Sequence, residues 1–218
     1  MARPDAPTYD AHWGYRTLDA ERYERRRYGS PLRRWNLRML ERTLARALEG
    51  VTPGGLVLDA PCGTGILAPF LRSRGFRVVG ADISPNMLAV ARGRAQPVDV
   101  LLGDVELLPV RAKSVDAVVV SRFLMHLPPD RRVAVLRTFA AATRGPVIGM
   151  VCHPYTFKTM SRAVRRFLGL TKKTTNRLTR KQLEAEVAAA GLRLERVLGV
   201  SPGFSEKWII VVRTAGPQ

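Results

Sequence analysis

Short apolar runs, each ending in an acid, recur at regular spacing in the first half of the chain. The runs are Leu56–Asp59, Phe76–Asp82 and Val98–Asp104. Between them the sequence predicts helices at 66–74 and 85–95, the second opened by a serine N-cap and a proline. Strands that alternate with helices at this spacing predict right-handed βαβ units and a parallel sheet.

The alternation continues toward the end of the chain and then changes. The further predicted elements are strands at 115–120 and 147–151, a helix after Pro129, a helix at 180–190, and strands at 192–198 and 208–212. Thr179 and Gln182 fit a capping box for the later helix. Turn-forming residues at 199–203 separate the last two strands and predict an antiparallel hairpin. The expected fold class is α/β, with a Rossmann-like, doubly wound sheet that is mainly parallel and has an antiparallel last strand.

The first strand leads into a turn that suits a nucleoside cofactor. Val57–Gly65 combines an apolar run, an acid and a turn that contains Gly63 and Gly65. Glycine has no Cβ, so a ligand can lie directly against the main chain, and the following helix directs its N–H groups toward it. Asp59, Asp82 and Asp104 each end one of the predicted strands, so the sequence predicts three carboxylates along one edge of the sheet.

These motifs resemble those of class I S-adenosylmethionine-dependent methyltransferases, in particular the small single-domain members. The family pattern VLDxGCGTG, an acid after the second strand, and GDxxxLP appear here as VLDAPCGTG, ADISPNML and GDVELLP, between about Leu56 and Val151. The resemblance implies S-adenosylmethionine as the cofactor and methyl transfer as the activity. Pro61 departs from the pattern, because it stands where the family has a glycine and has no N–H to offer a cofactor.

A bound adenosyl group offers an ammonium, two ribose hydroxyls and an exocyclic amine, all of which are hydrogen-bond donors. We expect Asp59 to order the turn and hold the aminoacyl end, and Asp82 to accept from the ribose. Asp104, with the Val105 N–H, is expected to read the adenine edge. A single acid at a strand end is more often a helix cap or turn residue, but three in register favour binding. The residues predicted to contact the cofactor are Asp59, Ala60, Pro61, Gly63, Gly65, Asp82, Ile83, Met87, Asp104, Val105, Ser121 and Arg122.

The reacting centre is expected outside the carboxyl ends of the fourth and fifth strands. There the chain carries Ser121–His126 and Cys152–Tyr155. His126 and His153 are the candidates for a catalytic general base, because imidazole titrates near neutrality. Either histidine could instead pack in the core or contact the cofactor.

The first 50 residues predict a helical cap. Large apolar residues recur near a helical period at Leu32, Trp35, Leu37, Leu40, Leu44 and Leu48. By the resemblance such a cap covers the cofactor site, so Tyr15, Tyr23, Arg27 and Tyr28 could contact cofactor or substrate, or could simply pack. His12 is expected at the surface.

The length of 218 residues and the 46% hydrophobic content predict one well-buried core. We therefore expect a single methyltransferase domain over 1–218. Its expected parts are the helical cap (1–50), the cofactor-binding core (51–153), a basic lid (154–181) and a C-terminal helix and hairpin (182–218).

The net charge of +18 is carried by 30 Arg and 6 Lys. A GC-rich genome can produce such a bias, but Lys158–Lys181 concentrates nine basic residues without an acid. If that stretch is helical, Phe157, Met160 and Phe167 belong to an apolar stripe beside its arginines. The pattern predicts a lid that faces an acidic, amphiphilic or lipid-like acceptor, or an anionic membrane; the alternative is an ordinary helix packed on its own domain.

Three other functions compete with methyl transfer to a small molecule. The high pI of about 11.3 favours a nucleic-acid-binding protein or RNA methyltransferase, and Gly63–Ala68 fits the G-x-G-x-x-A of a nicotinamide oxidoreductase. A cofactor-binding protein without catalysis is the third. Cys62 and Cys152 are too few for a disulfide framework or a zinc site, so no metal is expected. The start of the chain lacks the apolar stretch of a secretory signal, and we expect a cytoplasmic protein, with peripheral membrane contact in the case of the lid.

Overall fold

Seven strands form one sheet in the computed structural model, which describes residues 24, 29–95, 97–156, 176–201 and 205–215. The strands are β1 (Leu56–Asp59), β2 (Arg77–Asp82), β3 (Asp99–Leu102), β4 (Ala117–Val120), β5 (Val147–Cys152), β6 (Leu192–Gly199) and β7 (Lys207–Thr214). Their order across the sheet is β3-β2-β1-β4-β5-β7-β6.

The first five strands are parallel to their neighbours, and β7 is antiparallel to both β5 and β6. The chain builds outward from β1 through β2 to β3, and then returns to the other side of β1 with β4 and β5. This confirms the predicted doubly wound sheet with an antiparallel last strand. The reversal between β1 and β4 is the point at which sheets of this kind bind ligands, outside the carboxyl ends of the strands.

Five helices and one 3₁₀ turn accompany the sheet in the described residues. They are α1 (Pro31–Ala47), α2 (Ala68–Ser73), α3 (Pro85–Arg92), the 3₁₀ turn (Leu124–His126), α4 (Pro129–Ala142) and α5 (Arg180–Ala189). The predicted caps are present, since the Ser84 hydroxyl accepts from the Met87 N–H, and Thr179 and Gln182 form a complete capping box. The helix predicted at 66–74 is shorter than expected, because residues 63–67 are turns.

The core has two layers, one on each face of the sheet. Successive residues of the central strands alternate between them, so that Val57 and Val119 lie in one layer while Leu58 and Val118 lie in the other. The first layer is covered by α1 and α2, and the second by α4 and α5. Strand β4 is buried at every position, as predicted for a strand covered on both faces.

A buried arginine joins the second layer together. Arg132 of α4 is 1% exposed, and its guanidinium forms a two-pronged ion pair with Glu186 of α5, at 2.6 and 3.1 Å. The same guanidinium donates to the carbonyls of Leu124 (2.9 Å) and Leu127 (2.8 Å). A buried charge needs a counter-charge and filled hydrogen-bonding positions, and Arg132 has both. It therefore holds the 3₁₀ turn against α4 and α5.

Several predictions fall on residues that the structure does not describe. These are the proposed contacts of Tyr15, Tyr23, Arg27 and Tyr28, the surface position of His12, and residues 157–175 of the basic lid predicted at 154–181. They stay predictions. Within the described part of the chain, no helix combines the length and the apolar character that crossing a bilayer requires.

The Arg132–Glu186 pair can be tested against an exposed pair on the same helix. Glu186→Gln should lower the free energy of unfolding by about 3 kcal/mol, because the guanidinium stays buried without its counter-charge. Glu184 pairs with Arg180 at the surface, so Glu184→Gln should cost less than about 0.5 kcal/mol. Urea unfolding of both variants measures the difference, and equal losses would contradict the buried pair's role.

Candidate functional site

The carboxyl end of β1 places an unsatisfied acid inside the protein. Asp59 is 2% exposed, and its Oδ1 has no hydrogen-bond partner among the described residues. Burial, and then the nearby Asp82 carboxylate, raise the pKa of Asp59 to about 8. A carboxyl group in such a position needs a donor or a cation, so Asp59 marks a place where a ligand's donor fits.

Asp82 lies at the carboxyl end of the neighbouring strand β2 and joins two loops. Its Oδ2 accepts from the Gly63 N–H at 2.8 Å and its Oδ1 accepts from the Ser84 N–H at 2.9 Å. Burial raises the pKa of Asp82, and the hydrogen bonds from Ser84 and Gly63 oppose that rise. Each carboxylate oxygen can accept a further bond, so Asp82 can hold the two loops and still accept from a ligand.

The main-chain N–H groups of the glycine turn are largely used inside the protein. Ala60 donates to a carbonyl of β4 at 3.0 Å, and Cys62 donates to a carbonyl of β2 at 2.8 Å. Gly63 donates to the Asp82 carboxylate, and Gly65 donates to the Cys62 carbonyl at 3.0 Å. Pro61 has no N–H, and the Ala60–Pro61 peptide is cis. A ligand at this turn would therefore pack against the surface of these residues and would not take hydrogen bonds from these N–H groups.

The two glycines of this turn have different roles. Both have a left-handed backbone, with φ of +56° at Gly63 and +70° at Gly65. A Cβ at Gly63 would meet nothing within 4 Å, which leaves room for a ligand. A Cβ at Gly65 would lie 3.1 Å from the Ala91 Cβ and 3.4 Å from Val98, so this glycine lets α3 and the start of β3 pack against the turn. Direct cofactor contact by Gly65 stays a prediction.

Asp104 is the third predicted acid at this edge of the sheet. Asp104 follows β3, and its Oδ1 accepts from the Glu106 N–H at 2.9 Å, which shapes the turn of the GDVELLP segment. Val105 is buried beside it. On the adjoining segment after β2, Ile83 is half-buried and Met87 is buried on the first turn of α3. All these residues lie on the three neighbouring strand ends or directly after them.

The acceptor side is predicted beyond β4, where the chain enters the 3₁₀ turn. Ser121 and Arg122 are half-buried there, and Arg122 has a φ of +58°, which is uncommon for a residue with a side chain. Such backbone conformations concentrate at functional sites, since the surroundings must hold them. His126 is half-buried at the end of the turn, between the two carbonyls that Arg132 holds.

His153 lies directly after β5 in a cluster of aromatic rings. Its ring stacks on Trp208 with 4.5 Å between centroids and lies 5.8 Å from the ring of Tyr155. The Nδ1 atom accepts from the Tyr155 N–H at 3.2 Å. Burial lowers the pKa of His153, while a hydrogen bond to the Ser205 backbone and the Glu206 carboxylate oppose that shift. This geometry suits a neutral, packed ring, and catalysis by His153 or His126 stays a prediction.

Sequence reasoning missed two arginines that fix the site. Arg94 donates from Nε to the Thr64 carbonyl at 2.6 Å and from Nη2 to the Thr64 hydroxyl at 3.3 Å, and it pairs with Glu24 at 2.8 Å. It thus holds the glycine turn from outside, as Arg132 holds the 3₁₀ turn. The partners are distant in sequence, and in a chain so rich in arginine no local pattern distinguishes these two.

The raised pKa of Asp59 predicts a pH-dependent stability. In the unfolded chain this carboxyl returns to its ordinary pKa of 3.8, so between about pH 4 and 8 the folded protein holds a proton that the unfolded chain has lost. The stability from this proton is complete below pH 4 and is lost as the pH rises through 8, by up to about 1.4 kcal/mol per pH unit. Asp59→Asn should therefore gain stability relative to the parent between pH 5 and 8 in urea unfolding. The exposed Asp99→Asn is the control, and a flat difference for Asp59→Asn would contradict its buried protonation.

His153 predicts a dependence of the opposite sign. Because its pKa in the folded protein is lowered from 6.5, the stability from its neutral ring is present above pH 6.5 and is lost as the pH falls below that value. His153→Phe keeps a stacked ring and should lose less stability than the parent between pH 7 and 5, by up to about 1.4 kcal/mol per pH unit. Tyr155→Phe should follow the parent. A loss of turnover of roughly 10²-fold in His153→Phe, with unchanged cofactor affinity, would instead assign His153 as the base.

Comparison with known proteins agrees with this geometry. A methyltransferase domain model matches residues 57–145. Malonyl-[acyl-carrier protein] O-methyltransferase of Serratia marcescens is 35% identical over 112 residues, which are 50% of this chain and 44% of that protein. Demethylmenaquinone methyltransferase of Renibacterium salmoninarum is 32% identical over 123 residues, 56% of this chain and 49% of that protein. The matches thus span about half the length of these relatives or less.

A solved structure extends the likeness over nearly the whole fold. Magnesium protoporphyrin IX methyltransferase from Synechocystis PCC 6803, determined with bound SAH, superposes with a TM-score of 0.72 and covers 94% of this chain and 98% of its own. At 21% identity this likeness is one of fold. Residues 57–145 thus match a methyltransferase domain, and the fold around the three acids at one sheet edge is like that of a methyltransferase.

Proposed function

We propose that this protein transfers a methyl group from S-adenosylmethionine to a small or amphiphilic acceptor that carries an acidic group. The observation that carries the proposal is the buried Asp59 carboxyl, which lacks a partner for Oδ1 at the reversal point of the sheet. Beside it, Gly63 leaves open space and Asp82 keeps free acceptor capacity. An acid, an open glycine surface and a second acid together suit a ligand with a cationic amine and a ribose.

The residues present fit this cofactor. Asp59 would hold the ammonium of its aminoacyl end, and Asp82 would accept from the ribose hydroxyls. Asp104 and the Val105 N–H would bind the adenine edge, with Ile83 and Met87 against the base. When bound, the cofactor supplies a methyl group that its sulfonium has already activated, so the protein's task is mainly to position the acceptor and exclude water.

The residues after β4 and β5 would position the acceptor. The turn that carries His126 is held by Arg132, and its half-buried imidazole is the candidate to take a proton from an acceptor that must lose one. After β5, Tyr155 is 57% exposed beside the stacked rings of His153 and Trp208, and offers an apolar, flat surface. An acceptor with an apolar body suits that surface, and an acidic group suits the basic protein.

The names of the relatives specify different acceptors, a malonyl-[acyl-carrier protein] and demethylmenaquinone, and so do not identify a single acceptor class. The match of residues 57–145 to a methyltransferase domain model argues against the nicotinamide alternative. RNA as the acceptor is the competing possibility, because the net charge of +18 attracts phosphate.

Calorimetry tests the cofactor site. S-adenosylmethionine and its demethylated product should bind, and NAD and NADP should not. Asp82→Ala should weaken binding by about 1–3 kcal/mol, the cost of leaving buried donors unpaired. Asp99→Ala changes an exposed acid at the start of β3; it is the matched control and should bind as the parent does.

The raised pKa of Asp59, about 8, predicts that cofactor binding depends on pH. Affinity for the cationic cofactor should rise from pH 6 to 8 as Asp59 becomes charged, and Asp59→Asn should remove that rise. Nicotinamide binding without S-adenosyl binding would overturn the proposal.

Transfer of a labelled methyl group tests the acceptor. With cell extract as the source of acceptors, label should appear in the organic or small-molecule fraction and should resist ribonuclease. Label in RNA, with binding that collapses as salt is raised, would favour the RNA alternative. A protein that binds the cofactor and labels neither fraction would contradict methyl transfer to both classes.

A further inference from the structure

Helix α1 has a second apolar row besides the one that packs on the sheet. Its second half buries Leu40, Leu44 and Ala47 in the core. In its first half, Leu32 is 67% exposed and Trp35 is 44% exposed. They follow the i, i+3 spacing of one helix face, and the half-buried Met39, at i+7, leads from that face to the core, against which it packs.

Helix α1 packs against β6 and β7. Its last turn is fixed there, because Arg196 of β6 donates to the carbonyls of Arg46 (2.8 Å) and Ala47 (2.9 Å). The exposed residues Leu32 and Trp35 lie toward the other end of the helix, which at 17 residues is about 25 Å long.

A row of cations borders the exposed apolar residues. Arg34, Arg38 and Arg42 are exposed and repeat every fourth residue, so they lie one above another on the outer side of α1. The first ten residues of the helix contain no acid. Arginine and tryptophan beside each other on one helix face combine groups that bind phosphate with groups that enter an apolar layer.

We propose that the docking face, formed by Leu32, Arg34, Trp35, Arg38 and Arg42, binds the surface of an anionic lipid bilayer. The helix lies in the plane of the headgroups, the guanidinium groups contact lipid phosphates, and Leu32 and Trp35 enter the acyl boundary. We favour a lipid surface over an acidic protein, because exposed apolar side chains beside a row of cations match acyl chains beside lipid phosphates.

Vesicle sedimentation tests the docking face on the full-length protein. The parent should bind vesicles of phosphatidylcholine with 30 mol% phosphatidylglycerol at low salt, and should bind pure phosphatidylcholine far less. Arg34→Gln, Arg38→Gln and Arg42→Gln together should weaken binding about 100-fold, at roughly fivefold per charge. The matched control is the triple change of Arg74, Arg92 and Arg111 to Gln, which removes three exposed cations elsewhere and should weaken binding far less.

The apolar half of the face separates docking from simple adsorption. Leu32→Gln with Trp35→Gln keeps every charge, and it should weaken binding to the anionic vesicles at least tenfold while leaving thermal unfolding and S-adenosylmethionine affinity unchanged. If this variant binds as the parent does, or if the two arginine triples behave alike, the protein adsorbs by charge alone and the proposal fails. Absence of parent binding to anionic vesicles at low salt would overturn it too, and would leave an acidic protein as the partner of this face.

Discussion

The carboxyl groups of Asp59 and Asp82 lie at the ends of neighbouring parallel strands in a shared buried environment, and the cofactor side of the structure depends on how their charges are balanced. Asp82 receives the N–H groups of Gly63 and Ser84, and through them fixes the glycine turn and the start of α3. Asp59 receives no donor at Oδ1, and its pKa rises to about 8. Burial first, and then the Asp82 charge, raise the pKa of Asp59 and favour its protonated form at neutral pH. A ligand that brings its own cation to Asp59 therefore binds a group that must release a proton, which couples occupancy to pH.

The two halves of the site are held by different means. The cofactor half rests on backbone geometry, because three strand ends and a glycine turn set its shape and the carboxylates follow from the register of the sheet. The acceptor half has no such frame beyond β4. There a single guanidinium, that of Arg132, holds two carbonyls of the 3₁₀ turn and joins them to Glu186 of α5. Asn176 donates to the same Leu127 carbonyl at 2.8 Å, so the chain that leads into α5 is tied to the turn as well. Displacing α5 would thus disturb the acceptor side before the cofactor side.

The part of this structure that is local in sequence was predictable. The alternation of strands and helices, the acids at 59, 82 and 104, and the caps at Ser84 and Thr179 all depend on residues within a few positions of one another. The Arg132–Glu186 pair joins residues 54 positions apart, and the Arg94–Thr64 contacts join residues 30 apart, so neither leaves a local pattern. The sequence also fails to predict one feature of the glycine turn, although its residues are close together in the chain. Its motif predicts a close approach at both glycines, but only the three-dimensional packing of Ala91 and Val98 separates the space-giving Gly63 from the packing Gly65.

The same contacts bear on the origin of the positive charge. Arg94, Arg132 and Arg196 each donate to main-chain carbonyls, at the glycine turn, the 3₁₀ turn and the C-terminal end of α1. A planar guanidinium with five donors can bind a carbonyl and a second group at once, which a lysine ammonium on a flexible stem does less well. A carbonyl accepts the hydrogen bond without cancelling the charge. Part of the positive net charge of this chain therefore comes from arginines that fix loops and helix ends. The exposed arginines on α1 add to this charge, although they are not needed for the fold.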